Sequence, residues 1–134
     1  MNTDNSIQPK RIFLTDYQAP SFKVHSIDLY FNLHETNTQV KAKQVIEKLE
    51  DVPLVLNGEG LRLLSLQIDG KELSADLYFV QEEFLTIRSV PDYFTLETIV
   101  EINPEANKAC EGLYLSNGIF ATQCEAEGFR NITY

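Results

Sequence analysis

His25-Ser26-Ile27-Asp28-Leu29-Tyr30-Phe31-Asn32-Leu33 is the stretch on which the fold turns. In an extended chain Ile27, Leu29, Phe31 and Leu33 share one face, while Ser26, Asp28, Tyr30 and Asn32 share the other. A period of two is what a strand with one buried face requires, and no helix repeats that way. On the C-terminal side, His34-Glu35-Thr36-Asn37 reads as a turn into a second strand, Thr38 to Leu49, where Val40 and Ala42 alternate against Lys41 and Lys43. The alternation slips at Val45-Ile46, which indicates a bulge. A helix over 38–49 is the competing reading, ranked second because of the hairpin around it. On the N-terminal side, Pro20 biases Ala19 away from the helical region, so Arg11 to Ser21 is read as extended or turning. Residues 1–10 are polar and are expected to form a flexible arm ahead of a single domain over 11–134.

The remainder continues the pattern in short segments. Leu54-Val55-Leu56 runs into Asn57-Gly58, a turn signal. Leu61 to Ile68 ends at Asp69-Gly70, a favoured two-residue hairpin turn. Lys71 to Leu73, Leu77 to Val80, Phe84 to Ser89 and Phe94 to Ile102 follow closely, punctuated by Pro91 and Pro104. Short strands, polar turns and no long helix predict an all-β antiparallel sandwich.

Composition narrows the function. With 134 residues, 43% of them hydrophobic, the chain is long and apolar enough for one cored domain. Its net charge of −9 argues against nucleic acid, whose phosphates need clustered Lys and Arg. It argues equally against an anionic membrane surface. No apolar run is long enough to cross a bilayer. No secretory signal is visible at the N-terminus, so a cytoplasmic location is expected. Cys110 and Cys124 are then read as free, buried small apolar residues, and Asn131-Ile132-Thr133 as a chance sequon.

The common catalytic signatures are missing. The 6 glycines form no phosphate-binding loop, and there is no nucleophile elbow. His25 and His34 are nine positions apart and would face opposite ways on one strand. His34-Glu35 begins like the zinc motif HExxH but fails at Thr38. One segment stands out: Thr122-Gln123-Cys124-Glu125-Ala126-Glu127-Gly128-Phe129-Arg130. If extended, it would place Gln123, Glu125 and Glu127 on one face, with neighbouring carboxylates about 6–7 Å apart. Three readings stay open on spacing alone. One is a solvated acidic face, another a carboxylate-and-amide clasp for an ammonium group. The most distant is a glycosidase pair, whose two carboxyls should flank a sugar rather than point the same way.

The same segment carries a family resemblance. Gln123 to Tyr134, QCEAEGFRNITY, closely resembles the matching stretch of the bacterial aminopeptidase N family of zinc-dependent gluzincins. Asp16-Tyr17-Gln18-Ala19-Pro20, Leu56-Asn57-Gly58-Glu59 and Glu111-Gly112-Leu113-Tyr114 with Ser116 resemble further motifs of that family, in the same order. The resemblance runs from Asp16 to the end and implies the family's β-sandwich N-terminal domain.

It further implies a division of labour. The family's HExxH zinc site, its GAMEN motif and its catalytic tyrosine lie in a later thermolysin-like domain, and none of these motifs occurs here. The chain is therefore expected to be a piece cut before the catalytic domain, with no cofactor of its own and zinc in the parent enzyme. It is expected not to hydrolyse peptides alone. By the resemblance, Glu125 corresponds to the glutamate that binds a substrate's free α-amine, and Gln123 to the glutamine lining the first side-chain pocket; Glu127 carries no such role. The expected partners are the catalytic domain of the same polypeptide and peptide N-termini. One face should be unusually apolar where that domain docks, and Asn131 to Tyr134 should form an unpaired edge strand prone to self-association. The alternative is a stand-alone β-sandwich interaction module without catalysis.

Overall fold

The computed structural model describes residues 10–134; the expected N-terminal arm lies outside them except for Lys10. The opening hairpin forms as its alternation requires. Strand β1 (Phe22–Asn32) pairs antiparallel with β2 (Thr38–Lys48), with Leu29 opposite Ala42 and Phe31 opposite Val40. The segment 38–48 is thus a strand, and the helical alternative fails. The register shift sits on the other strand, between Val24 and Ser26, so that His25 is the extra residue. β2 itself never slips: Thr38, Val40, Ala42, Gln44 and Ile46 are all buried. The apparent slip arises because a polar residue, Gln44, holds a core position.

The next strands are β3 (Leu54–Asn57), β4 (Arg62–Ile68), β5 (Lys71–Glu72), β6 (Tyr78–Val80), β7 (Phe84–Ile87) and β8 (Tyr93–Ile102). β4 and β5 are joined through Asp69 and Gly70, with φ of 50° and 80°, the left-handed pair that a tight hairpin needs. A second hairpin, β9 (Gly112–Ser116) and β10 (Ile119–Gln123), turns at Asn117-Gly118, again both at positive φ. Asn117-Gly118 is the local signal of this pair in the sequence.

One sheet has the order β1-β2-β8-β4-β5, a second β3-β7-β6, and β9-β10 stands apart. All pairings are antiparallel. Val40, Ile46, Leu66, Phe94, Leu96 and Val100 from the large sheet meet Leu54, Leu85 and Ile87 from the small one, giving the predicted sandwich. Leu113, Ile132 and Tyr134 close the same core.

Coverage of the large sheet stops short of β1. Val24, Ile27 and Phe31 lie opposite core-side partners on β2, yet remain 50%, 40% and 41% exposed. Half-burial, which the alternation predicts, is reached only at Leu29 and the strand's start, Phe22. Beside this strip opens an apolar groove of about 720 Å³ lined by Phe22, Val24, Val52, Leu54 and Leu56, among others.

The C-terminus departs from expectation. Gly128–Asn131 is one 3-10 turn, and Ile132, Thr133 and Tyr134 are buried rather than displayed as an edge strand. Gln44 explains this: its Nε2 donates to the main-chain oxygen of Tyr134 at 3.0 Å, across 90 residues of sequence. The Tyr134 ring lies over Gly58, where a side chain would collide with it. Burial also pushes the Tyr134 phenol above its ordinary pKa. The cysteines are a second correction. Both are free, but both are exposed. Cys110 falls in the irregular connection before β9, at φ 57°, and Cys124 follows the end of β10, so neither sits on a core-facing strand position.

Candidate functional site

β10 delivers the candidate segment. Its last residue, Gln123, pairs with Gly112 at the start of β9, and there the extended chain ends. Residues 125–127 form a turn, closed by the Gly128 N–H donating to the Cys124 carbonyl at 2.9 Å; its Glu125–Ala126 peptide is cis. The expected alternation of Gln123, Glu125 and Glu127 along one extended face is therefore overturned. A turn replaces it because three consecutive segments, β10, the turn and the 3-10 turn, must reverse direction within a few residues to reach the core at Ile132.

The turn separates the two carboxylates chemically. Glu127, itself exposed, lies 3.5 Å from the half-buried Arg130. Glu125 is exposed, and among the described residues its carboxylate has neither a hydrogen bond nor an ion pair. Gln123 is exposed as well, and its Nε2 reaches the Glu125 main-chain oxygen at 3.5 Å. Gln123 and Glu125 are thus neighbours at one end of the β9-β10 hairpin. A cavity of about 300 Å³ adjoins the turn, lined by Ala126, Glu127, Arg130, Gln44, Asn57 and Thr133 among others.

What such an arrangement can do is limited and definite. An unpaired carboxylate keeps its acceptor capacity for an incoming cation, and it does so strongly only when water is excluded. Arg130 lies beside Glu127 in a partly exposed pair that is worth little, and Glu125 is left as the carboxylate of the turn with no cation next to it. A glycosidase pair finds no support in this geometry.

The histidines contribute nothing here. His25, displaced by the bulge, contacts Glu47 at 2.7 Å and stacks obliquely against Tyr93. His34 is in the turn after β1, with its Nδ1 near Thr36. Among the described residues, no three His, Cys, Asp or Glu side chains gather to hold a metal ion.

The motifs at 56–59 and 111–114 carry the family resemblance but supply no residue of the expected site. In the fold they surround the 123–131 segment: the Glu59 N–H donates to the Arg130 carbonyl at 2.9 Å, and Gly112 abuts Gly128 and Asn131. The signal was available, since glycines recur in all three motifs.

No family model matches the chain. The whole chain is 49% identical, over 136 residues, to a Caulobacter vibrioides protein named Aminopeptidase N. It is 45% identical over 129 residues to the Escherichia coli protein of that name. The chain spans about 15% of the length of each. Among solved structures, 90% of the chain superposes on Legionella pneumophila aminopeptidase A, crystallised with aspartic acid, with a TM-score of 0.83 and 27% identity; 15% of that protein is covered. A Deinococcus radiodurans M1 zinc metallopeptidase shares the fold at a TM-score of 0.69 and 16% identity, with 84% of this chain and 28% of that one aligned.

Proposed function

Since the chain matches the N-terminal region of aminopeptidase N, an M1 zinc peptidase, along its whole length, we propose that it is the domain with which such an enzyme recognises a peptide's free amino terminus. Glu125 receives the α-ammonium, and Gln123 lines the space for the first side chain. One observation supports the assignment of Glu125: both carboxylates of the turn are exposed, but only Glu127 has a cation beside it, Arg130 at 3.5 Å, so among the described residues Glu125 is the one without a partner.

The chemistry suits an exopeptidase. A fixed anion favours a terminal ammonium and gives nothing to an internal peptide bond, whose nitrogen is uncharged. In a closed, dry site the charge-assisted contact contributes about 1.5–3 kcal/mol. In the 134-residue chain alone, the same carboxylate stands in water and binds an amine very weakly. Zinc, in this reading, polarises the scissile carbonyl when bound elsewhere in the longer polypeptide. The uncovered apolar strip of Val24, Ile27 and Phe31 supports packing of β1 against the rest of that polypeptide. The reading also places the protein in the cytoplasm, where exposed Cys110 and Cys124 stay reduced.

The test is a chimera in which this chain replaces the matching region of Escherichia coli aminopeptidase N. It should cleave aminoacyl amides, and Glu125→Ala should lower kcat/KM by about 10- to 150-fold, the equivalent of that contact. An unchanged kcat/KM would remove Glu125 from the site. The isolated chain with added zinc should show no turnover.

A further inference from the structure

Two glycine-containing motifs, the remote one at 56–59 and the one at 111–114 across the β9-β10 hairpin, meet the 123–131 segment that bears Glu125. At Gly60, Gly70 and Gly118 an added methyl group would meet nothing within 4 Å. Those positions need glycine only for their positive φ. Gly112 and Gly128 are different. A methyl on Gly128 would lie 2.3 Å from the Gln123 carbonyl oxygen and 3.1 Å from the Gly112 nitrogen. A methyl on Gly112, which also has φ of 75°, would lie 2.8 Å from Asn131 Cβ and 3.1 Å from the Gly128 oxygen. The close neighbours are mostly main chain, which cannot swing aside as a side-chain tip can.

The main chain of the 3-10 turn is therefore wedged directly against the start of β9 and the end of β10, with no side chain between them. From the other side, Asn107 Nδ2 donates to the carbonyls of Glu111 and Leu113 at 2.7 and 3.0 Å, holding the start of β9 in place. The Glu59 N–H holds Arg130 through its carbonyl at 2.9 Å. Gly128 also closes the turn through its own N–H to Cys124. The Gln123–Gly112 pairing, the turn closure at Gly128 and the Glu59–Arg130 bond all lie within two residues of this glycine pair.

We propose that Gly112 and Gly128 are positioning residues: their main-chain contact sets where the Glu125 carboxylate stands. The proposal rests on Glu125 being the amine receptor, as argued above. The geometry gives the scale. For a methyl at Gly128 to reach ordinary contact, the Gln123 carbonyl must retreat by about 1 Å. Gln123 is two residues before Glu125, so the turn moves with it. A charge-assisted N–H···O contact of about 2.8 Å that lengthens by about 1 Å ceases to be a hydrogen bond.

The experiment uses the chimera and two zinc-binding probes, an amino-acid hydroxamate and its des-amino analogue. The ratio of their inhibition constants reads amine recognition alone, because both share the remaining contacts. Glu125→Ala sets the floor of that ratio. Gly128→Ala should lower the ratio at least tenfold toward that floor while inhibition by the des-amino compound stays within about twofold. Gly112→Ala should do the same and stands in if Gly128→Ala is insoluble. A ratio within twofold of wild type in either soluble glycine variant overturns the proposal. Equal loss of both affinities also overturns it, because that is what a general structural defect does. If Glu125→Ala itself leaves the ratio unchanged, the amine-receptor reading fails first and the positioning role falls with it.

Discussion

Gln44→Ala is the perturbation that most sharply tests how the C-terminal segment is held. Gln44 is buried at a core position of β2, and its side-chain amide supplies a donor to the main-chain oxygen of Tyr134. Removal strands that buried acceptor, which costs about 1–3 kcal/mol. The lost methylene adds about 0.8 kcal/mol of apolar burial. The expected destabilisation is about 2–4 kcal/mol, or a fall in Tm of roughly 6–15 °C for a domain of this size. Urea unfolding of the 134-residue chain should show the loss with an unchanged m-value. Native-state hydrogen exchange should show the Ile132, Thr133 and Tyr134 amides opening faster than those of β8. A loss below about 0.5 kcal/mol, with exchange at 132–134 unaltered, would refute the idea that Gln44 fastens this segment.

Three further outcomes follow from the packing and charges. Phe94→Ala, at the centre of the sandwich, should cost about 3–5 kcal/mol in urea unfolding. Lys48 is held above its ordinary pKa of 10.5, first by its hydrogen bond to Asp51 and then by Asp92. A raised pKa means that the folded chain holds the proton more tightly, so this stabilisation is complete below the ordinary value and fades as pH climbs through the raised one. Thermal melting should therefore decline on the alkaline side, and Lys48→Gln should flatten that decline. Cys110 and Cys124 should both react with a thiol reagent in the native state, because both are exposed; a requirement for denaturant would contradict their placement.

Much of the fold was legible because β-strand periodicity is local. The alternation in β1, the Asp69-Gly70 turn and the run of short strands each announce themselves within a few residues. What could not be read locally was which elements cover which. Ile27 and Phe31 have the right phase but no layer above them, since the three-stranded sheet does not extend over β1. Gln44 disguised a regular strand as a bulged one, because its reason for being buried lies 90 residues away. The β9-β10 hairpin is marked locally by Asn117-Gly118, both at positive φ.

At the site, the resemblance singles out Gln123 and Glu125, and the structure places Gln123 at the end of β10 and Glu125 in the turn that follows, both exposed. Spacing alone gave the wrong geometry for Glu127, because an extended chain was assumed where the path turns. The edge strand expected at 131–134 follows from the resemblance, which implies a cut before further sheet. Ile132, Thr133 and Tyr134 are instead drawn inward by the core and by Gln44. Neither error could be corrected by periodicity, since both depend on a reversal of direction that the core imposes from outside the segment.

The most direct measurement is a crystal structure of the chimera with an amino-acid hydroxamate bound. The account predicts the ligand's ammonium nitrogen about 2.7–2.9 Å from a Glu125 carboxylate oxygen, with the first side chain beside Gln123. An ammonium group resting against Glu127, or lying beyond about 3.5 Å from Glu125 with no contact to it, would contradict the central claim.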